Sequence, residues 1–530
     1  MRRMRFKVLS MLSLVAALSA CGGGGDGGGA GGHSGGDPIV VAVSGTEAKA
    51  TTALGSLVGT RSDGSLSFKG VRFAASTDGD RRWRPPQPSG AWTGALDATR
   101  FGNQCPSGNS IQAVASEDCL LLNIYVPETV AGRTRNLPVM FWIHGGANAS
   151  GSASDYDPAL LVRQEGVIVV TTNYRVGVLG FLAHPSIDAE SHPAANYGLL
   201  DQQLALRWVR DNIRSFGGDP GNVTVFGASS GGLNILNHLI SPSSSGLFHK
   251  AIVQSGAYQP FTLSLASSQG RGIAFANRLG CTDQSAACLR GKPLAEILAS
   301  QGRTNAASSA FNQSTVDGEV IPQTQRSAFL GGRFAKMPVM HGITRYEGRA
   351  IPSEFPGMTA QDFEAVAGNY ATTVAKSPRE VLAEYPLGQY KDPFEAASAV
   401  VTDAAFACPA LRSDQVMSGH VPVSAYELDE GSADPFASGH YADVEYVFRV
   451  AWAPEKAGTS LGTTIRSHFA RFARTGDPNQ AGSADWKPFT SQDRYMRLIA
   501  PQAQRKQNFE GEHRCTFWGP DSGIPVNSRL

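Results

Sequence analysis

The sequence predicts an α/β protein with a mostly parallel central sheet, helices on both faces and a helical cap region. Short apolar runs alternate with helical segments along most of the chain. Some runs, such as 138–143 and 167–172, are almost wholly apolar, which is typical of parallel strands covered on both faces. A third observation is the run at 223–226, which leads into Gly-x-Ser-x-Gly and then into a helical segment.

The N-terminus has the pattern of an export signal at residues 1–20. Four basic residues within the first seven positions precede the apolar run 8–18, which is too short to span a bilayer. The run ends at Leu18-Ser19-Ala20-Cys21, which resembles a bacterial lipobox. That resemblance implies cleavage before Cys21, lipid attachment to its thiol and, with Gly22 following, an outer-membrane location. An ordinary signal with a periplasmic or secreted product is the alternative.

The next segment, 21–36, is nearly all glycine, and such a tract behaves as a flexible tether. Because no second linker or repeat follows, we expect residues 37–530 to form one domain. The chain carries 46 basic and 45 acidic residues without a basic block, so nucleic acid is not an expected partner. Apart from Cys21 there are six cysteines, an even number that suits disulfides in an oxidising compartment. None forms Cys-x-x-Cys, so the spacing gives little support to a zinc or redox site, and no metal is expected.

The elements follow in chain order. An N-terminal β-meander is predicted at 55–73. Further strands are predicted at 120–126, 138–143, 167–172, 223–226, 251–254, 338–344 and 423–428. Helices are predicted around Leu200, Leu204 and Trp208, at 233–240, and around Ile465, Phe469 and Phe472. The helix-leaning stretches 261–335 and 352–420 are the expected cap.

The strand–turn–helix at 223–240 is the context that a nucleophile elbow requires. Ser229 would sit at the turn in strained backbone geometry, so its neighbours two positions away must be nearly free of side chains. Gly227 and Gly231 meet that need. The following helix points amide groups and its positive dipole end at an oxyanion formed during attack.

A serine hydroxyl needs a base to remove its proton, and that base is a histidine oriented by a carboxylate. In this kind of fold the acid and then the histidine follow the serine in the chain. Glu347 lies just past the strand at 338–344, where parallel folds place functional groups. Asp317 and Asp403 are the alternative acids.

The candidate bases are His420, His440, His468 and His513. His440 lies in a loop, from which its ring can reach Ser229, and we predict it as the base. His468 lies on a predicted helix, and His513 stands in a charged segment beside Cys515. His420 is the remaining alternative.

The strand predicted at 138–143 ends at His144-Gly145-Gly146-Ala147, whose small residues let backbone amides approach a substrate closely. This loop and the amide of Ser230 are predicted to form an oxyanion hole. His144 itself is expected to orient the loop.

Together these motifs resemble the type-B carboxylesterase/cholinesterase family over nearly all of residues 55–520. The matching stretches are SEDCL at 116–120, NYRVG at 173–177, NYGLLDQ at 196–202, FGGDP at 216–220, LFH at 247–249 and QSG at 254–256. The resemblance implies an α/β-hydrolase fold, no cofactor and an acyl-enzyme mechanism on carboxylic esters.

The resemblance also implies roles for individual residues. It carries the catalytic triad onto Ser229, Glu347 and His440. It carries the oxyanion hole onto the backbones of Gly146, Ala147 and Ser230, and a supporting pair behind His440 onto Ser255 and Asp443. It implies the disulfides Cys105–Cys119, Cys281–Cys288 and Cys408–Cys515.

Three departures from the family pattern bear on substrate choice. Ala228 replaces the usual glutamate before the nucleophile, and Ala147 replaces the third glycine of the oxyanion loop, where its methyl group crowds bulky alcohol portions. The loop between Cys105 and Cys119 is short and has no tryptophan to hold choline. Without that aromatic face and that anion, the site is expected to favour neutral esters over quaternary ammonium esters.

The sequence therefore predicts an exported, lipid-anchored serine carboxylesterase. A depolymerase or lipase with the same triad, acting on polyester, polyurethane or lipid at the cell surface, is the first alternative. The second is a non-catalytic, cholinesterase-like binding protein. Such proteins typically lose the nucleophile, whereas all three triad positions are filled in this chain.

Overall fold

Alternating strands and helices build the part of the chain that the computed structural model describes. The described residues are 40–133, 135–258, 262–302, 311, 313–350, 357–430, 439–480, 486–490, 492–494, 496–498, 503–505 and 508–520. The predicted signal peptide at 1–20, the lipidation site Cys21 and the tether at 21–36 lie outside them. Contacts between Cα atoms place Pro38–Leu530 in one unit.

The strands are short, and nine of the 18 described strands overlap those that the sequence predicts. They are β1 Val41–Ser44, β2 Glu47–Thr52, β3 Gly55–Ser62, β4 Ser65–Arg72, β5 Ala95–Asp97, β6 Leu121–Pro127, β7 Leu137–Ile143, β8 Tyr156–Asp157, β9 Ile168–Thr172, β10 Gly218–Ala228, β11 Lys250–Gln254, β12 Leu263–Ser264, β13 Thr315–Val316, β14 Val339–Thr344, β15 Val423–Leu428, β16 Arg449–Val450, β17 Met496–Leu498 and β18 Ala503–Arg505. The prediction did not include β1, β2, β5, β8, β12, β13, β16, β17 and β18. Of these, β1 and β2 contain few large apolar residues.

One large sheet has the strand order β1-β2-β3-β4-β6-β9-β7-β10-β11-β14-β15-β17-β18, with β5 beside β3. From β9 through β17 every neighbouring pair is parallel. The N-terminal part, from β1 to β6 and on to β9, runs as an antiparallel path. The predicted parallel centre and N-terminal meander are therefore both present.

The helices are α1 Ala159–Glu165, α2 Gly177–Phe181, α3 Pro185–Asp188, α4 Tyr197–Asn212, α5 Ser230–Ile240, α6 Leu265–Arg278, α7 Ala286–Gly291, α8 Leu294–Ser300, α9 Gln325–Leu330, α10 Ala360–Ala371, α11 Pro378–Glu384, α12 Pro393–Val401, α13 Cys408–Met417, α14 Ala442–Val447, α15 Ser460–Thr475, α16 Phe509–Glu512 and α17 Cys515–Trp518. A π-helical segment, Thr402–Ala407, joins α12 to α13. The stretches predicted as a helical cap hold α6 to α9 and α10 to α13.

The central strands bury side chains on both faces. Along β7, Phe141 and Ile143 belong to a core cluster that includes α4 and α5, whereas Met140 and Trp142 belong to a second cluster with α14 and α15. Because successive side chains of a strand point to opposite faces, the two clusters lie on opposite sides of the sheet. This explains why the central runs are apolar at every position, and it confirms helices on both faces.

Among the described residues, one helical stretch, Pro393–Met417, is long and apolar enough to cross a membrane by length and composition. However, 83% of its most apolar window is buried inside the protein. Its apolar character is therefore accounted for by the core that it helps to form.

Three disulfide bonds are present, and they join the pairs that the family resemblance implies. Cys105–Cys119 and Cys281–Cys288 close local loops of 14 and 7 residues. Cys408–Cys515 spans 107 residues and ties α17 to the start of α13. The C-terminal segment is thereby held against the helix that follows the π-helical segment.

His513, two residues before that disulfide cysteine, is buried rather than exposed in a charged segment. Its Nδ1 lies 2.6 Å from Asp403 Oδ1, and its Nε2 lies 3.0 Å from Glu427 Oε1. Burial alone would lower the pKa of His513, but the two carboxylates outweigh it and raise the pKa to about 9. A buried imidazolium therefore joins the C-terminal segment to the π-helical segment and to β15.

This arrangement predicts a loss of stability at alkaline pH. An unfolded histidine has a pKa of about 6.5, so the folded state holds this proton more tightly than the unfolded state. The resulting stabilisation, about 3 kcal/mol, is complete below pH 6.5 or so and is lost as the pH rises through about 9. Chemical unfolding at pH 6.5 and 9.5 should show this loss in the wild type and not in His513→Gln. An equal loss in both proteins would contradict the assignment.

Candidate active site

Ser229 lies at the sharp turn between β10 and α5. Its backbone has φ 54° and ψ −124°, a conformation that non-glycine residues rarely adopt. Its amide donates a hydrogen bond of 2.8 Å to the carbonyl oxygen of Gln254, at the end of the neighbouring strand β11. Strained backbone of this kind persists where the surrounding structure holds it and is concentrated at functional sites.

Two glycines make this turn sterically possible. A Cβ atom on Gly231 would lie 2.0 Å from the carbonyl oxygen of Ile143, and one on Gly227 would lie 2.6 Å from the same oxygen. No side chain fits at either distance, because both glycines pack directly against the end of β7. The spacing of small residues that is visible in the sequence therefore has a direct steric cause.

Glu347 follows β14 and begins the 3₁₀ turn Glu347–Ala350. Its side chain is fully buried, yet both carboxylate oxygens have hydrogen-bond donors. Oε1 accepts hydrogen bonds from Ser255 Oγ at 2.5 Å and from the Thr344 amide at 2.7 Å. Oε2 accepts one from Nδ1 of His440, also at 2.5 Å. The carboxylate is thus held in one orientation toward the imidazole.

His440 lies in the loop before α14. The preceding residue, Gly439, forms an isolated parallel bridge with Tyr346, so the loops that carry His440 and Glu347 are joined through their backbones as well. Since Glu347 accepts from Nδ1, the proton of the neutral ring resides there and Nε2 is left with a lone pair. That is the tautomer a general base requires.

Shared neighbours connect His440 to Ser229. The ring of Phe406, from the π-helical segment, lies 5.1 Å from the His440 ring and 5.5 Å from that of Tyr258. The hydroxyl of Tyr258 interacts with the side chain of Ser229. Phe406 and Tyr258 therefore form a continuous aromatic wall from the imidazole to the serine.

A second connection between the His440 loop and the Ser229 turn is made by Tyr441, the residue after His440. A Cβ atom on Gly145 would lie 1.7 Å from the Tyr441 hydroxyl oxygen and 2.7 Å from the carbonyl oxygen of Ala228. The residue that follows the histidine and the residue that precedes the serine thus both press against Gly145. Only glycine fits at this position.

The loop after β7 has an unusual backbone. Gly146, Ala147 and Asn148 all have positive φ, at 106°, 57° and 54°. The amides of Asn148, Ala149 and Ser150 donate hydrogen bonds to other described residues. Those of Gly146 and Ala147 donate none within the described part of the chain, so they are available to a bound oxyanion.

His144 is buried behind this loop and stacks on the ring of Tyr174 at 4.3 Å between centroids. Its Nδ1 lies 2.8 Å from the Gly145 carbonyl oxygen, and the Tyr174 hydroxyl donates to the His144 carbonyl at 2.8 Å. Burial lowers the pKa of His144 to about 4, so the ring is neutral near pH 7. It orients the loop, the role expected for it from the sequence.

Ser255 and Asp443 occupy different places behind the histidine. Ser255 contacts Glu347 and not the imidazole. Asp443 accepts a hydrogen bond of 2.6 Å from the Tyr426 hydroxyl, and burial raises the pKa of its carboxyl group. The Asp443 carboxyl group also interacts through charge with Glu347 and His440. Ser255 therefore supports the acid directly, whereas Asp443 is held by Tyr426.

The alternative acids and bases have other partners. Asp317 accepts from Asn196 and from the amides of Glu319 and Ile321. Asp403 binds Tyr385 and His513. The ring of His420 lies against Phe334, and His468 donates to the Pro478 carbonyl. None of these contacts leads to Ser229.

Sequence reasoning did not identify Tyr258, Phe406 or Tyr441 as neighbours of Ser229 and His440. Their neighbours did carry a signal: Tyr258 follows the QSG stretch, and Tyr441 follows His440 directly. Phe406 lies in the expected cap and had no such signal. Within the described ranges, no group of three or more His, Cys, Asp and Glu side chains is arranged to hold a metal ion.

The chain is similar to known proteins over most of its length. The model of the Carboxylesterase family matches residues 46–518. The para-nitrobenzyl esterase of Bacillus subtilis (strain 168) is 32% identical over 88% of this chain and 98% of its own length. The cocaine esterase of Homo sapiens is 31% identical over 94% of each chain.

A solved structure of PNB esterase superimposes with a TM-score of 0.75 at 31% identity, covering 88% of this chain and 99% of that one. The α/β-hydrolase fold expected from the sequence is therefore confirmed. With the family model spanning nearly all the described residues, the chain belongs to the carboxylesterase family.

Proposed function

We propose that this serine carboxylesterase hydrolyses neutral carboxylic esters through an acyl-enzyme intermediate on Ser229. The observation that carries the proposal is the oriented pair of Glu347 and His440, connected through Phe406 and Tyr258 to a serine held at φ 54°. A base with its lone pair on Nε2, next to a strained serine at a helix N-terminus, is the arrangement that activates a hydroxyl for attack on a carbonyl.

In the proposed mechanism, Ser229 Oγ attacks the ester carbonyl carbon while His440 Nε2 takes the hydroxyl proton. Glu347 stabilises the imidazolium that forms and does not itself take the proton. The negative charge on the tetrahedral oxygen is met by the amides of Gly146, Ala147 and Ser230. His440 then protonates the departing alcohol oxygen, and a water molecule attacks the acyl-enzyme with the same groups in the same roles.

Preference for neutral esters is supported by what surrounds the site. Ala228 brings no carboxylate next to the nucleophile. The loop closed by Cys105–Cys119 carries no tryptophan. A quaternary ammonium group would therefore find neither the anion nor the indole face that favours it.

An ester panel tests this proposal. We expect hydrolysis of p-nitrophenyl acetate and butyrate, and a clear preference for a neutral 3,3-dimethylbutyl ester over the choline ester of the same acid, which has nearly the same shape. Because the two esters differ mainly in charge, the ratio of their kcat/KM values measures the effect of the positive charge. Equal or better kcat/KM on the choline ester would contradict the assignment of neutral substrates, and absence of hydrolysis on all esters would contradict the function.

One observation favours a surface-active depolymerase or lipase as a second candidate. Two apolar side chains in the Cys105–Cys119 loop, Ile111 and Val114, are 47% and 57% exposed. Exposed apolar residues on a loop suit contact with insoluble esters. If this is the function, the rate on emulsified esters should exceed that on soluble ones and should fall in an Ile111→Ser, Val114→Ser variant that keeps its rate on p-nitrophenyl acetate.

We further propose export and a lipid anchor at Cys21, on the support of the basic and apolar pattern of residues 1–20 and the Leu-Ser-Ala-Cys sequence that ends it. Incorporation of labelled palmitate into the wild type and not into Cys21→Ser is the expected result. If neither the wild type nor Cys21→Ser incorporated the label, the lipid anchor would be contradicted and a secreted or periplasmic protein would be favoured.

A further inference from the structure

The side chain of Ser230, as distinct from its backbone amide, bridges the two halves of the predicted oxyanion hole. Ser230 is the first residue of α5 and is fully buried. Its Oγ accepts a hydrogen bond of 2.9 Å from the amide of Asn148, in the loop after β7. The residue that supplies one oxyanion donor thus also holds the loop that supplies the others.

A second contact between the same two elements lies one turn further along α5. Asn234 Nδ2 donates to Asn148 Oδ1 at 2.9 Å, and both side chains are fully buried. On its other side, the carbonyl oxygen of Asn148 accepts from the Gly177 amide at 2.6 Å. The backbone and side chain of Asn148 are therefore clamped between α5 and the start of α2.

The loop needs such a clamp because its backbone is not a relaxed one. Ala147 and Asn148 have successive positive φ values, and neither is glycine. Left to itself, a loop of this composition would favour other conformations. Holding Asn148 in place therefore also restrains the backbone of Ala147, which precedes it.

We propose that Ser230 and Asn234 are positioning residues that set the direction of the Gly146 and Ala147 amides through Asn148. This inference rests on the proposed function, since the amides matter only if an oxyanion forms at Ser229. The two α5 side chains would then affect the transition state indirectly, through the oxyanion loop, without touching the substrate.

The chain offers a matched control on the same helix. Asn237 is as buried as Asn234, but its side chain binds Ser314 and Gln325 and does not reach the oxyanion loop. Asn237→Ala therefore removes a buried amide and its hydrogen bonds without releasing Asn148. Its loss of thermal stability gives the purely structural effect against which the other variants are judged.

The experiment measures kcat, KM and melting temperature for Ser230→Ala, Asn234→Ala and Asn237→Ala on p-nitrophenyl butyrate. It also measures Ki for a trifluoromethyl ketone, which forms a tetrahedral oxyanion adduct with a nucleophilic serine. Since loss of one oxyanion donor costs about 10²–10³-fold, a misdirected donor should cost about 10-fold. We expect that loss in kcat for the first two variants, with KM nearly unchanged and Ki raised in parallel.

Three outcomes are distinguishable. A fall in kcat and in ketone affinity confined to Ser230→Ala and Asn234→Ala supports the inference. Unchanged kcat in both, or the same fall in Asn237→Ala, overturns it. Labelling of wild-type Ser229 by a fluorophosphonate probe is run alongside, because failure of that labelling would overturn the proposed function itself. If one variant does not fold, the other still decides the question, because both act on Asn148.

Discussion

Ser229→Ala is expected to lower the turnover of a short p-nitrophenyl ester by about 10⁴–10⁶-fold, because triad members act as a unit and the remaining groups have no nucleophile to activate. The Glu347–His440 pair is held by its own hydrogen bonds, so the substitution should leave the site assembled. The backbone strain at φ 54° costs alanine and serine about equally. Steady-state kinetics with a fluorophosphonate titration of the active serine provides the measurement.

A control from the same helix separates chemistry from stability. Ser241 lies at the C-terminal end of α5, is buried, and accepts a hydrogen bond from Gln203 at 3.1 Å. Ser241→Ala should keep wild-type turnover and full labelling. If Ser229→Ala retained even a tenth of the wild-type rate, Ser229 would not be the nucleophile.

Glu347→Gln is expected to lower kcat by about 10⁴-fold with little change in KM, because it reverses the tautomer of His440. A glutamine can still accept hydrogen bonds from Ser255 and Thr344 through its oxygen. Its amide group then faces Nδ1 of His440 as a donor. The ring proton must move to Nε2, which can no longer accept a proton from Ser229.

A second buried carboxylate–imidazole pair supplies the control. His341 Nδ1 lies 2.7 Å from Asp414 Oδ1, and both side chains are fully buried between β14 and α13. Asp414→Asn makes the same chemical change in an equally buried pair and should lower the melting temperature. Because this pair is not part of the proposed triad, kcat should stay within about twofold of the wild-type value. Equal losses of kcat in the two variants would show that the effect of Glu347→Gln is one of folding.

The accuracy of the sequence prediction differed between elements for identifiable reasons. The central strands and α5 were predicted within a few residues, except for the start of β10. The reason is that a strand covered on both faces, like a nucleophile elbow, is recognised from a pattern of consecutive residues. The strands β1 and β2 were not predicted, since they form part of an antiparallel edge and carry few large apolar side chains. The π-helical segment that brings Phe406 to His440 has no sequence signal of its own.

His513 shows the limit of local reasoning most clearly. In the sequence it stands among charged residues beside Cys515, and the carboxylates that bind it lie 110 and 86 positions away. No pattern near position 513 indicates that burial between them. Ser230 and Asn148 are likewise far apart in the sequence, by 82 positions, so that contact was also not predicted.

The sequence by itself determined the family, the parallel centre of the sheet and the turn that carries Ser229, because each depends on the order and size of neighbouring residues. Only the tertiary structure decided which carboxylate orients which imidazole, where the aromatic wall lies and how the strained loop after β7 is held. The contacts Asn148–Ser230, Glu347–His440 and Tyr258–Phe406 join residues that lie 82, 93 and 148 positions apart. They exist only once burial and hydrogen bonding select one three-dimensional arrangement among many that the same local patterns allow.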